Sequence, residues 1–252
     1  MEINKRIVRA ITLLLVILFM TVLPGCSSNN TNKAKADKGF IDLSGWDFEK
    51  NGIAKLDGEW ELYWNQLYTP EDFRNTSLKP DGYIYIPFFM DEQYIGGKKL
   101  PTFGYATLRL KIKVNGRDGY YGLKTKSLLT ASKVWVDGFA VAEQGIVGRS
   151  KAEEQPLYIP TVSYFNTNDS EIEIIVQMSN FYDINTGIEG VRFGTGEQIN
   201  YLDRKEQSQG LLALGCLLIM SFYHFGLFMR RKKDASALYF SAVCFCFPYT
   251  CA

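Results

Sequence analysis

Catalysis or metal binding needs side chains that attack, exchange protons or ligate, and this sequence supplies few of them. It contains one histidine, His224, and five cysteines, Cys26, Cys216, Cys244, Cys246 and Cys251. No histidine or cysteine falls between residues 27 and 215. That excludes a Ser–His or Cys–His nucleophilic pair from the middle of the chain. A histidine-based zinc site is excluded with it. Cys244-x-Cys246 has no second pair or histidine nearby and lies in an apolar run, so no metal or cofactor is expected. His224 lies about six residues before Arg230, roughly 9 Å along a helix, and reads as a neutral histidine packed between helices. Paired carboxylates could still cleave a glycosidic bond, and Glu59/Glu61, Glu153/Glu154 and Glu171/Glu173 are the obvious pairs. On alternating strands or in a charged loop, all three pairs read as solvated surface. Gly96-Gly97-Lys98-Lys99 lacks the spacing of a phosphate-binding loop. No catalytic residue is assigned.

Binding chemistry is better represented. Trp60, Trp64 and Trp135 could each stack on a sugar ring, but Trp60 and Trp64 alternate as core residues. Trp135 stands between Val134 and Val136 and is expected on an outer face. Arg109 shares a polar strand face with Tyr105 and Thr107 and could present a bidentate donor to a ligand; a surface ion pair is the alternative. Asn180 falls just past a strand end, before Phe181, Tyr182 and Asp183, where loops carry binding residues. Backbone capping by Asn180 is an equal alternative. The candidate ligand-binding set is Arg109, Tyr105, Trp135, Asn180 and Tyr182.

The elements that must position these residues are strands. In Glu59–Trp64, the residues Trp60, Leu62 and Trp64 share one face, the alternation of a half-buried strand. Tyr83–Ile86 is a second β-rich run, ended by Pro87. In Tyr105–Val114, Ala106, Leu108, Leu110, Ile112 and Val114 form one face and Tyr105, Thr107, Arg109, Lys111 and Lys113 the other. Lys133–Ala142 reads as a hairpin around Asp137-Gly138, because a tight turn needs positive φ. Glu171–Met178 and Val191–Phe193 complete the set. Thr69-Pro70 opens a short helical turn, with Thr69 as cap and Pro70 at the first helical position. The expected fold is mainly β, an antiparallel jelly-roll sandwich of roughly eight strands, with no disulfide to hold it.

The two ends read differently. Lys5, Arg6 and Arg9 precede an apolar stretch, Ala10 to Val22, of signal-peptide length. Leu23-Pro24-Gly25-Cys26 resembles a bacterial lipobox, with Pro24 departing from the usual small or β-branched residue. Cys26 is the candidate lipidation site, and an uncleaved anchor is the alternative. Residues 27–39 form a polar tether. Leu211 to Met229 is apolar and long enough to span a bilayer. The Arg230–Lys233 run that follows places that end in the cytoplasm. Residues 27–208 are then extracytoplasmic, on a cell membrane. Residues 197–209 favour helix, and a rigid joint there would carry a movement of the β domain into the membrane. A second apolar run, about 235–252, begins a further transmembrane helix. The chain ends inside it, which reads as a truncated protein, with a complete two-span protein as the alternative. The net charge of +1 gives no indication of nucleic acid, and the basic residues cluster only at Lys5/Arg6/Arg9 and Arg230–Lys233.

Several stretches resemble one family. Leu56–Trp64 followed by Thr69–Phe73, Gly104–Leu110, Gln177–Phe181, and Tyr223-His224 through Lys233 to Ala237–Phe240 are similar to bacterial seven-transmembrane receptors with diverse intracellular signalling modules. The resemblance covers roughly residues 40–247. It implies an extracellular galactose-binding-like jelly roll, with the Trp135–Gly138 hairpin the strongest point of that second likeness. It also implies a receptor for an extracellular small molecule or glycan, with a homodimer as a candidate assembly. Relatives usually carry a histidine kinase, nucleotide cyclase or phosphatase output domain. This chain ends before any such domain and is expected not to be an enzyme. The organisation expected is export signal 1–26, tether 27–39, extracellular sensor domain 40–198, and membrane region 199–252 with a first span near 210–229. An envelope protein–protein or dimerisation module is the second reading. An ancillary glycoside hydrolase domain is the third, and a span after residue 198 stands where its catalytic barrel would follow.

Overall fold

In a computed structural model of the chain, the described residues are 34–89, 93–115, 119–126, 128–184, 187–232 and 235–250. The export signal, Cys26 and the first part of the tether lie outside them.

The alternating segments become strands of one seven-stranded sheet. It contains β1 (Phe40–Asp42), β3 (Gly58–Trp64), β4 (Gly82–Ile86), β8 (Gly104–Lys113), β10 (Ala131–Val136), β11 (Phe139–Gln144) and β13 (Glu171–Asn180), in the order β11-β10-β13-β8-β3-β4. All neighbours are antiparallel except β1, which runs parallel to β8 with Ile41 beside Ile112. A four-stranded antiparallel sheet, in the order β12-β9-β15-β2, is built from β2 (Ala54–Lys55), β9 (Gly119–Thr125), β12 (Thr161–Thr167) and β15 (Val191–Thr195). Two short ribbons pair β5 (Phe88–Phe89) with β14 (Gly187–Ile188), and β6 (Tyr94–Ile95) with β7 (Lys98–Lys99).

The apolar faces of the two large sheets share one core. Trp60, Leu62, Leu108, Leu110, Ile112, Val134, Ile172, Ile174 and Val176 come from the larger sheet, and Leu123, Val191 and Phe193 from the smaller. Trp60 is fully buried, and its indole N–H donates to Leu56 O at 2.9 Å. It is therefore a core residue, satisfied on its polar edge as a buried indole must be. The Asp137-Gly138 turn has φ of 49° and 87°, the positive pair that a two-residue hairpin connection demands.

The outer face of the larger sheet is only partly solvated. Segment 65–76 folds across it and includes the short helix Pro70–Asn75, whose Thr69/Asp72 capping box closes its first turn. Tyr68 N–H donates to Thr107 Oγ1, and Thr107 Oγ1 donates to Gln66 O. Tyr63, Tyr68 and Phe73 meet edge to face. Thr107 and Ile175, both on this outward register, are consequently buried.

The sequence reading missed β9 and β12. Gly-Tyr-Tyr-Gly-Leu-Lys-Thr in β9 shows no alternation because the strand is covered on both sides from Tyr121 onward. Tyr121 and Leu123 face the core, while Gly122 and Lys124 lie beneath a helix. That helix runs unbroken from Gly196 to Arg230, capped by Thr195 Oγ1 accepting from Gln198 N–H. At 1.5 Å per residue it is about 52 Å long. Its first turns lie on the small sheet, against β9, β12 and β15. Farther along, Leu211, Leu212, Ile219, Phe222 and Tyr223 are exposed, and the helix is long and apolar enough to cross a membrane by length and composition. A second helix, Ser236–Thr250, packs back on it. Ser221 Oγ donates to Ser241 O at 2.9 Å, and the His224 ring stands 4.5 Å from that of Phe240. His224 thus sits between the two helices, as its sequence context indicates.

Candidate functional site

The five residues proposed from sequence do not converge on one cleft. Arg109 lies on the outer face, but its guanidinium is engaged. Nε and Nη2 donate to Glu173 Oε1 at 2.8 and 2.5 Å, and Nη1 reaches Glu61 Oε2 at 3.5 Å. Phe73 covers it, with the ring centre 4.6 Å from the guanidinium carbon. The alternative of an ion pair is what the geometry presents. Burial opposes the charge, but Glu173 and Glu61 outweigh it and hold the guanidinium pKa above its usual value. Tyr105 is on the same strand face, opposite Ser179. Trp135 is on that face too, two strands from Arg109 through Ile175, with Lys133 Nζ 5.6 Å from its ring. It is 9% exposed, so the outer position does not make it an open platform.

Asn180 points inward and is fully buried. Its Nδ2 donates to Thr102 O and Asp183 O at 2.8 and 2.7 Å, and its Oδ1 accepts from Asp183 N at 3.1 Å. It braces the loop that follows β13. Tyr182, half exposed, hangs from that loop, donating to Lys151 O with Lys151 Nζ over its ring.

The carboxylate pairs separate by environment. Glu61 and Glu173 hold Arg109, and Glu171 holds Lys111. Glu154 departs from the reading of solvated surface. It is 3% exposed and accepts from Thr130 Oγ1. Burial pushes its carboxyl pKa up, and hydrogen bonds from Thr130, Phe181 and Ser179 only partly oppose the shift.

What the fold assembles lies on the other sheet. Arg192 on β15 is in register with Lys55 on β2 and with Lys124 on β9, so three cations form one row across three strands. Directly opposed like charges destabilise a sheet, and the exit helix supplies the compensation. Lys124, nearly buried, places Nζ 2.8 Å from Asp203 and 2.7 Å from Glu206. Arg192 Nη1 lies 2.9 Å from the other oxygen of Glu206. Ile199, Asp203 and Glu206 are spaced i, i+4, i+7 and share one helix face. Ile199 is fully buried over Gly122, whose missing side chain makes room for it. The helix is thus held by an apolar peg and an ionic latch. Burial alone would disfavour the Lys124 ammonium, yet Asp203 and Glu206 raise its pKa. Burial likewise opposes the Glu206 carboxylate, and Lys124 and Arg192 lower its pKa on balance.

Beside the latch opens a cleft of about 120 Å³, lined by both sides of the row: Lys55, Lys124, Lys126 and Arg192, with Asp57 and Glu189. In the sequence, basic residues cluster at two places only; the fold makes this third cluster. Its one sequence signal is Lys124 between Leu123 and Thr125, a charge in a strand with no polar face.

No family model matches this chain, and no curated protein matches it. Among solved structures, it is similar to a β-glucuronidase from Ruminococcus gnavus in complex with uronic isofagomine, at 11% identity and a TM-score of 0.41, covering 56% of this chain and 28% of that one. A β-glucuronidase from an uncultured Clostridium is similar at 13% identity and a TM-score of 0.40, with 56% and 28% covered. The chain therefore spans under a third of the length of these enzymes.

Proposed function

We propose that this chain is the ligand-sensing part of a bacterial membrane receptor, of the seven-transmembrane type with diverse intracellular signalling modules. In this reading the β domain is a jelly roll of galactose-binding type, held outside the cell over residues 27–208, and the chain itself carries no catalysis. Its ligand is a soluble small molecule or glycan. The observation that carries the reading is the unbroken helix from Gly196 to Arg230. Its first turns are fixed to the β domain by Ile199, Asp203 and Glu206, and the same helix continues into a stretch fit to cross a bilayer. A displacement of the small sheet therefore has a stiff path to the membrane.

Two measurements test it. Protease added to spheroplasts is expected to digest the β domain while inside-out vesicles protect it; the reverse pattern overturns the topology. Calorimetry of the detergent-solubilised chain against neutral and charged soluble glycans and cell-wall fragments is expected to show binding. Silence across the panel removes the carbohydrate part. A docking or dimerisation module is favoured instead by one observation: the edge strand β4 presents Tyr83 and Tyr85, 40% and 46% exposed. Crosslinking in membranes that traps a partner through Tyr83 or Tyr85 supports that reading.

A further inference from the structure

We infer that the cleft beside the latch is a binding site for an anionic group, a carboxylate or phosphate, and that its occupant competes with Glu206 for Arg192. Neither the binding nor the competition rests on the receptor reading above.

The charge count inside the cleft comes first. Lys55, Lys124, Lys126 and Arg192 face two acids there, Asp57 and Glu189. The remaining balance comes from Asp203 and Glu206 on the helix. The cleft is therefore neutral only while the helix is seated, and an anion entering it replaces charge that the helix otherwise supplies. Donors are available for such a group. Lys55 is exposed and has no acid within ion-pair distance among the described residues. Lys126 is held only at 3.8 Å by Glu189, with both side chains about half exposed. Arg192 uses Nη1 on Glu206, and a guanidinium carries five N–H donors in a planar fork matched to carboxylate or phosphate.

Size narrows the class. Pockets that enclose a whole drug-sized ligand run to roughly 300–1,000 Å³, and this cleft is about 120 Å³. It takes an acidic group, with the rest of the molecule outside. Position adds a second possible source. Glu206 precedes Leu211, where the apolar stretch begins, by about 8 Å of helix, so an anionic lipid headgroup and a soluble acid share the required chemistry.

The test uses the full chain in neutral detergent, titrated calorimetrically with inorganic phosphate, citrate and galacturonate, and with galactose as the uncharged control, all at ionic strength matched with chloride. The acids are expected to bind and galactose not to. Lys55→Gln and Lys126→Gln are each expected to weaken binding at least tenfold, while Lys111→Gln, on the other sheet, leaves it unchanged. Glu206→Gln, which frees Arg192, is expected to tighten binding several-fold. Short-chain phosphatidylglycerol and phosphatidylcholine, titrated into the same detergent solution, form the other arm: binding that needs the phosphatidylglycerol headgroup and is lost in Lys55→Gln keeps the anion site and makes the headgroup its occupant. The site is overturned if neither the soluble acids nor the short-chain anionic lipid binds, or if Lys55→Gln and Lys126→Gln bind as the unaltered chain does. Unchanged affinity in Glu206→Gln overturns the competition. Neither result touches the topology, which the protease experiment reads separately.

Discussion

If the exit helix is fixed to the small sheet by one peg, the peg and its socket must be energetically coupled. A Cβ placed on Gly122 would stand 2.8 Å from Ile199 Cβ and 3.0 and 3.1 Å from its Cγ1 and Cγ2. Carbon contacts are favourable at about 3.5–4.0 Å, so strand and helix would have to separate by roughly 0.5–1 Å. Overpacking of this kind costs about 1–3 kcal/mol. Part is offset by the reduced freedom of the unfolded chain, about 0.4–1 kcal/mol, since Gly122 has no left-handed φ to lose. Ile199→Ala removes a fully buried side chain, at about 2–5 kcal/mol. In the double variant the Cγ1 and Cγ2 contacts are gone and only the Cβ–Cβ contact at 2.8 Å remains, so strand and helix need separate less. We expect it to be more stable than the sum of the single effects by about 1 kcal/mol or more, within the range for residues in contact. Urea unfolding of the full chain in detergent, followed by tryptophan fluorescence, measures all four corners of the cycle. Additivity to within about 0.3–0.5 kcal/mol would refute the seating of the helix on β9.

Three further expectations concern the β domain. Because burial raises the Glu154 pKa, the folded state holds its proton more tightly than the unfolded one, and stability falls as pH rises from about the ordinary 4.5 through the raised folded value. Glu154→Gln should remove that slope, so that the variant gains on the unaltered chain as pH rises from about 4 to 8; thermal melts across that range that keep the slope would discount the burial. Trp60→Ala should cost about 3–5 kcal/mol, read by the denaturation midpoint, and a loss below 1 kcal/mol would contradict a core position. Arg109→Ala should lower stability by about 1.5–3 kcal/mol through loss of charged hydrogen bonds to Glu173 and Glu61, while leaving anion binding at the cleft intact. Loss of binding without loss of stability would return Arg109 to the ligand-binding set.

The sequence alone determined the strands that are wet on one side or alternate cleanly. β3, β8 and β13 show their inward residues at period two, and Asp137-Gly138 marks its own turn, because local sterics and half-burial write directly into residue order. It also determined the helical character of 197–209 and the apolar stretch after it. It left the short paired elements β1 and β2 invisible, since two or three residues are too few to alternate. Tertiary structure alone decided the rest. β9 is buried on both faces from Tyr121 onward, so its pattern vanishes. Arg109, a ligand donor or half of an ion pair when read along β8, is claimed by Glu61 and Glu173 from neighbouring strands and roofed by Phe73. Glu154, read as loop surface, is enclosed beside Thr130. The row Lys55–Arg192–Lys124 joins residues far apart in the chain, because strand register sets which side chains stand side by side. Its counter-charges arrive on a helix seen in sequence only as a link to the membrane. Charge proximity is a property of pairing and packing, and residue order carries it only where neighbours in space are neighbours in the chain.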